Sequence, residues 1–148
     1  AYRFIGDAIE AEDLAQEAFV RIYQHAGRYR PVASFNTWFF RILGNLCRDR
    51  IKRKRPVYLD DTGESLIADG DPGLLFERKV RQEAVLKAIT SLPANQRLAL
   101  VLCHYEGLSY DAAAASLGLT RKAIDSLLVR AKRTLRRELA YLIKETLD

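Results

Sequence analysis

Residues 35–55, FNTWFFRILGNLCRDRIKRKR, put apolar side chains at Phe35, Trp38, Phe39, Ile42, Leu43 and Leu46. This is the i, i+3, i+4, i+7, i+8 spacing of one side of an α-helix, and it does not fit a strand, whose faces alternate every second residue. The other side carries Arg41, Asn45, Arg48, Arg50, Lys52, Arg53 and Lys54. Such a helix can be anchored in a core, Trp38 included, and still offer cations and a carboxamide to a polyanion. The same residues also suit a core helix with a merely solvated basic end. Pro56 stops the pattern, because proline has no amide donor and clashes with the preceding turn.

The rest of the chain has the same period. In residues 8–25, Ile9, Leu14, Ala15, Ala18, Phe19, Ile22 and Tyr23 form an apolar stripe opposite a mainly acidic face of Glu10, Asp13, Gln16, Glu17 and Arg21. Residues 75–91 are helical by the same criterion, with Val80, Ala84, Val85, Ala88, Ile89 and Leu92 apolar. Pro93 opens a helix over 94–106, Gly107 ends it, and a long last helix runs from Arg121 to about Thr146. No strand alternation, repeat or low-complexity segment interrupts this, so the expected fold is all-α. Residues 57–74 hold Gly63, Gly70, Pro72, Gly73 and several aspartates, and read as a flexible acidic linker. Two small helical domains follow, 1–56 and 75–148.

Charge is distributed in blocks within a net of +5: acidic over 7–17, basic over 41–55, acidic over 60–77 and basic over 121–137. Two basic blocks at the ends of helical patterns suggest two contacts along one polyanion. The connection 26–34 adds Arg28, Tyr29 and Arg30, side chains that stack on unpaired bases, and Ser34 is placed to cap the following helix. Apolar runs are broken well before the ~20 residues of a membrane span. No leader peptide is legible, and the start AYRFIGD, without Met, reads as a fragment. Cys47 and Cys103 make no disulfide framework, which points to a reducing cytoplasm, and Cys103-His104 lacks further ligands for a metal.

Near the C-terminus, a short segment YDAAAASL, a turn at Gly118-Leu119-Thr120 and a basic helix form a helix-turn-helix pattern. Ala113, Leu117, Leu119, Ile124, Leu127 and Leu128 fit its core. Arg121, Lys122, Asp125, Ser126, Val129, Arg130 and Arg133 are left for the outer face. There is no phosphate loop, no HExxH, no GxSxG and no nucleophile–base constellation. An enzyme, a cofactor site and a small-molecule substrate have no residues to support them.

Taken together, DAIEAEDLAQEAFVRIYQ, FNTWFFRILGNLCRDRIKRKR and LPANQRLALVLCHYEGLSYDAAAASLGLTRKAIDSLLVRAKRTLRREL resemble bacterial RNA polymerase sigma factors of the extracytoplasmic-function group. The resemblance implies a subunit that binds core polymerase, reads a −35 element and melts a −10 element, without covalent chemistry. It implies that Asp13, Leu14, Gln16 and Glu17 dock on polymerase. It implies that the loop 28–33, with Arg28, Tyr29 and Arg30, and the helix residues Arg41 and Asn45 hold a flipped −10 base. Arg48, Arg50, Lys52 and Arg53 would grip phosphates. At −35, Thr120, Arg121, Lys122, Asp125 and Ser126 would lie closest to base edges, with Arg130 and Arg133 as phosphate clamps. A membrane-anchored anti-sigma partner that holds the two domains closed is also implied.

The chain departs from the family pattern at Ala112-Ala113, Asp125 and Leu127, where Glu-Ile and two basic residues are usual. Asp125 weakens nonspecific attraction, or accepts from a cytosine amino group and narrows specificity. Two other readings stay open: a sigma-like decoy that binds an anti-sigma factor and no promoter, and a helix-turn-helix regulator acting alone on duplex DNA.

Overall fold

A computed structural model describes residues 1–53 and 72–147. Among them every regular element is helical: α1 Tyr2–Ile5, α2 Ala8–His25, a 3-10 turn Ala26–Arg28, α3 Phe35–Arg53, α4 Pro72–Ser91, α5 Ala94–Leu100, α6 Tyr110–Leu117, α7 Arg121–Glu138 and α8 Ala140–Leu147. The expected linker, apart from its last three residues, lies outside the described residues, as do Lys54, Arg55 and Pro56. α4 begins at Pro72, earlier than the expected 75, with proline at a first-turn position where its missing amide costs nothing.

Short polar side chains start several of the helices. Asp7 accepts from the Glu10 amide at 2.9 Å, Ser34 from Thr37 at 3.3 Å, Ser109 from Ala112 and Thr120 from Ala123, both at 3.1 Å. Two expected helices break. The one over 94–106 widens after Leu100 into a π-helical turn, Val101–Tyr105, closed by the Glu106 amide on Val101 O, with the Leu108 amide following on Leu102 O. The last helix is interrupted at Leu139, between α7 and α8.

One apolar core runs through both halves of the chain. Phe4, Leu14, Ala18, Leu46 and Cys47 from the N-terminal helices join Leu92, Leu98, Leu102, Leu117, Ile124 and Leu128 from the C-terminal ones. The two halves meet where α3 packs on α6 and α1 on α4. Gly6 sits at that seam with φ 83°, and a Cβ there would lie 2.8 Å from Thr90 Cγ2, so glycine permits both the turn and the approach.

The buried faces of α2 and α3 differ from the expected stripes. On α2 the buried positions are Ala11, Leu14 and Ala18, whereas Ile9, Phe19 and Tyr23 are exposed, Tyr23 by 86%. Small alanines let the helices approach closely, and the bulky residues are left at the rim. On α3 the buried positions are Thr37, Gly44, Leu46 and Cys47; Phe35 is exposed, and Trp38, Phe39, Ile42 and Leu43 are half-buried. α3 is covered on a second side by the C-terminal half, through small residues that carry no hydrophobic signal.

Candidate functional site

A cleft of about 260 Å³ opens between the C-terminal turns of α2 and the middle of α3, lined by Arg21, His25, Arg28, Trp38, Ile42 and Asn45. Asn45, expected opposite the apolar stripe, lies at i+7 from Trp38 and i+3 from Ile42 and shares their side of α3, and the turn after α2 brings Arg28 over them. Tyr29 packs its ring on Trp38 at 4.9 Å between centroids, and its hydroxyl donates to Ala33 O at 3.0 Å, which folds the loop 29–33 back on itself. Phe35 extends the cluster, 6.0 Å from Trp38 and 6.4 Å from Tyr29. The result is an aromatic wall beside two guanidinium groups and one amide. That set can hold a planar, hydrogen-bonding group next to an anion.

Two lining residues, Arg21 and His25, were not anticipated. They lie one turn apart on α2, and the helical spacing that places them together says nothing about the α3 groove they face. His25 Nδ1 is 2.8 Å from Arg21 O; a carbonyl can only accept, so Nδ1 is the donor. Arg21 is held by Glu17 at 2.7 Å. Trp38, expected in the core, is a half-buried cleft residue.

Of the expected −10 residues, Arg28 and Asn45 converge on the cleft, and Tyr29 buttresses its wall. Arg30 is exposed outside it. Arg41 turns away, its Nη2 donating to Ala115 O at 3.2 Å, and Arg48 likewise donates to Leu117 O at 3.2 Å. Lys52 and Arg53 are exposed, and Arg50 is half-buried, all at the end of α3.

On α2, Asp13 and Gln16 face outward and Glu17 is half-buried beside Arg21. Leu14 is 1% exposed and belongs to the core, so its side chain is not on the outer face. Exposed Ile9, Val20 and Tyr23 accompany the polar residues on that face. An outer face that mixes carboxylates with large apolar groups is suited to a protein partner rather than to bulk water.

In the helix-turn-helix, Ala113, Leu117, Ile124 and Leu128 are buried, with Leu119 and Leu127 half-buried. Lys122, Asp125, Ser126, Val129, Arg130 and Arg133 are exposed on the opposite side of α7. Thr120 is the N-cap, its hydroxyl engaged with the Ala123 amide. Arg121 pairs with Asp111 at 3.0 Å and lies over the Tyr110 ring.

Between the two halves, the buried Arg97 donates to Leu92 O, Thr90 O and Phe4 O, the last at 2.6 Å. Burial lowers its pKa, and the adjacent Cys47 opposes that shift. Burial also pushes the Cys47 thiol up to about 11, and raises that of Cys103. Both cysteines are free. Among the described residues no cluster of His, Cys, Asp and Glu could hold a metal ion, and no helix is long and apolar enough to cross a membrane.

Residues 1–57 match the family model of sigma-70 region 2, and residues 82–135 that of sigma-70 region 4. The chain is 33% identical to the ECF RNA polymerase sigma factor SigE of Mycolicibacterium smegmatis, over 99% of this chain and 58% of that protein. It is 32% identical to the RNA polymerase sigma-H factor of Pseudomonas aeruginosa, over 97% of this chain and 80% of that protein. Among solved structures, the sigma factor RpoE in complex with the anti-sigma factor NepR from Bartonella quintana superposes with a TM-score of 0.73, at 23% identity, over 94% of this chain and 86% of that one. CnrH in complex with the cytosolic domain of CnrY gives 0.69 at 24% identity, over 95% and 78%. At those identities the likeness to the solved structures is one of fold.

Proposed function

Because the chain belongs to the extracytoplasmic-function sigma factors of the sigma-70 family, we propose that it binds core RNA polymerase in the cytoplasm and directs it to specific promoters. The observation that carries this reading is the pairing, on one chain, of the α2–α3 cleft with an exposed recognition face on α7. The cleft suits a single unstacked base: Trp38 and its aromatic neighbours offer a stacking wall, and Asn45 and His25 offer donors and acceptors. Arg28 supplies charge beside them. Capturing such a base offsets an unstacking cost of a few kcal/mol, and this makes −10 opening favourable without covalent chemistry. Lys122, Asp125, Ser126, Arg130 and Arg133 then meet a −35 major groove, the first three near base edges and the arginines on phosphates.

The outer face of α2 is assigned to polymerase, through Asp13, Gln16 and Glu17 together with Ile9, Val20 and Tyr23. An anti-sigma partner is assigned by analogy with the two solved relatives, which are complexes with such factors. The test is affinity capture of purified core polymerase. The native chain is expected to retain it, and Asp13→Lys with Glu17→Lys to lose most of the binding through charge reversal. Equal retention by the double variant overturns the α2 assignment, and no retention by the native chain favours the decoy.

A further inference from the structure

Thr120, Arg121, Lys122, Asp125 and Ser126 were expected nearest the −35 base edges, and the fold already engages the first two. Thr120 Oγ1 accepts from the Ala123 amide at 3.1 Å. Arg121 Nη1 is held by Asp111 at 3.0 Å, with its guanidinium over the Tyr110 ring. Both side chains brace the turn between α6 and α7. Lys122, Asp125 and Ser126 remain, and Val129, 51% exposed, lies one helical turn beyond Asp125 on the same strip.

On that face Asp125 is a carboxylate among the cations Lys122, Arg130 and Arg133. The fold makes no use of it. The cap of α7 is Thr120, and the first turn holds no acidic residue, so Asp125 lies past the reach of the helix N-terminal dipole. Its side chain has no hydrogen-bond or ion-pair partner among the described residues. A free carboxylate that enters a phosphate-lined groove is repelled unless a donor meets it. On the major-groove edge cytosine presents a donor alone, its N4 amino group. Adenine sets its amino group beside the N7 acceptor, and guanine and thymine present only acceptors.

We propose that Asp125 and Val129 set the −35 preference of this chain. Asp125 accepts from a cytosine amino group and rejects the other bases at that position, and Val129 packs on a thymine methyl nearby. The rise from residue i to i+4 is ~6 Å, close to two base steps of ~3.4 Å, so the two bases lie about two base pairs apart. Ser126 both donates and accepts, and discriminates little. Arg130 and Arg133 hold phosphates on either kind of sequence. This specificity rests on the −35 reading proposed above.

The full chain is mixed with a pool of randomised duplexes, and the bound fraction is sequenced. The native chain is expected to enrich a cytosine with a thymine about two base pairs away. Asp125→Asn is expected to change that cytosine to adenine, because an asparagine amide bonds N6 and N7 together. Asp125→Ala is expected to lose the preference, about 10-fold for cytosine over the other bases, while binding random duplex about 3-fold more tightly at low salt. In the enriched duplex, deoxyuridine in place of the thymine removes only the methyl group. Native affinity is then expected to fall about 3-fold, and that of Val129→Ser to stay the same. An enriched site without cytosine, or one identical for the native chain and Asp125→Asn, overturns the role of Asp125. Equal loss on deoxyuridine by the native chain and Val129→Ser overturns that of Val129. In both cases the −35 reading survives. No enriched site with any of these chains overturns the −35 reading and the specificity with it.

Discussion

Arg97 Nη1 donates to the carbonyl oxygen of Phe4 at 2.6 Å, across 93 residues of chain. The same guanidinium takes up Thr90 O and Leu92 O at the end of α4, so one buried cation caps two helix ends and joins the two halves. The planar fork of arginine makes this possible; a single ammonium could not span three acceptors. Replacing Arg97 by Leu strands these carbonyls and is expected to destabilise the chain by about 3 kcal/mol, with Arg97→Lys recovering less than half. Urea denaturation of the two variants measures it.

Gly44 has the opposite sign. It sits inside α3, where glycine costs about 0.5–1 kcal/mol relative to alanine, and a Cβ there would lie 3.6 Å from Leu117 Cδ2, an ordinary contact. Gly44→Ala is therefore expected to stabilise by about 0.5–1 kcal/mol. A rise in the thermal midpoint checks it.

Thr120 caps α7 through a 3.1 Å bond from the Ala123 amide. Thr120→Ala is expected to cost about 1 kcal/mol, and Thr120→Ser to restore most of it. If Thr120 acts at −35 only as a cap, the serine variant also binds −35 duplex normally. Denaturation and duplex titration on the same pair of variants separate the two roles.

Burial raises the Cys47 thiol from its ordinary 9.0 to about 11, so the neutral form is the one the fold accepts. Its contribution is complete below pH 9, and it is lost as pH rises towards 11, a change on the order of 2–3 kcal/mol. Native chain and Cys47→Ala are expected to converge in stability over that range. Denaturation curves from pH 8 to 11 check this, because other titrating groups cancel in the difference.

Helix positions and the helix-turn-helix were legible because their apolar period and caps are local. The face of α2 proposed for docking was less so: Leu14 falls among the residues that the resemblance assigns to polymerase, yet its side chain is core, and Ile9 and Tyr23 look like core but lie outside. The same limit applied to α3, where Gly44 is buried beneath Leu117, a residue more than seventy positions away. No local pattern marks a small residue as a contact. Arg97 was invisible for a related reason, since its partners are main-chain carbonyls and carry no side-chain signature. Arg21 and His25 join the cleft only because α2 and α3 face each other there.

As proposed above, the chain directs polymerase to promoters and opens them with the α2–α3 cleft. The direct measurement is transcription of genomic DNA fragments by core RNA polymerase with and without the chain, then permanganate probing of thymines at a start site so found. New defined start sites and reactive −10 thymines are predicted with the native chain. Arg28→Ala with Asn45→Ala should still bind polymerase but lose that reactivity. Identical start sites with and without the chain, or full thymine reactivity in the double variant, would contradict the account.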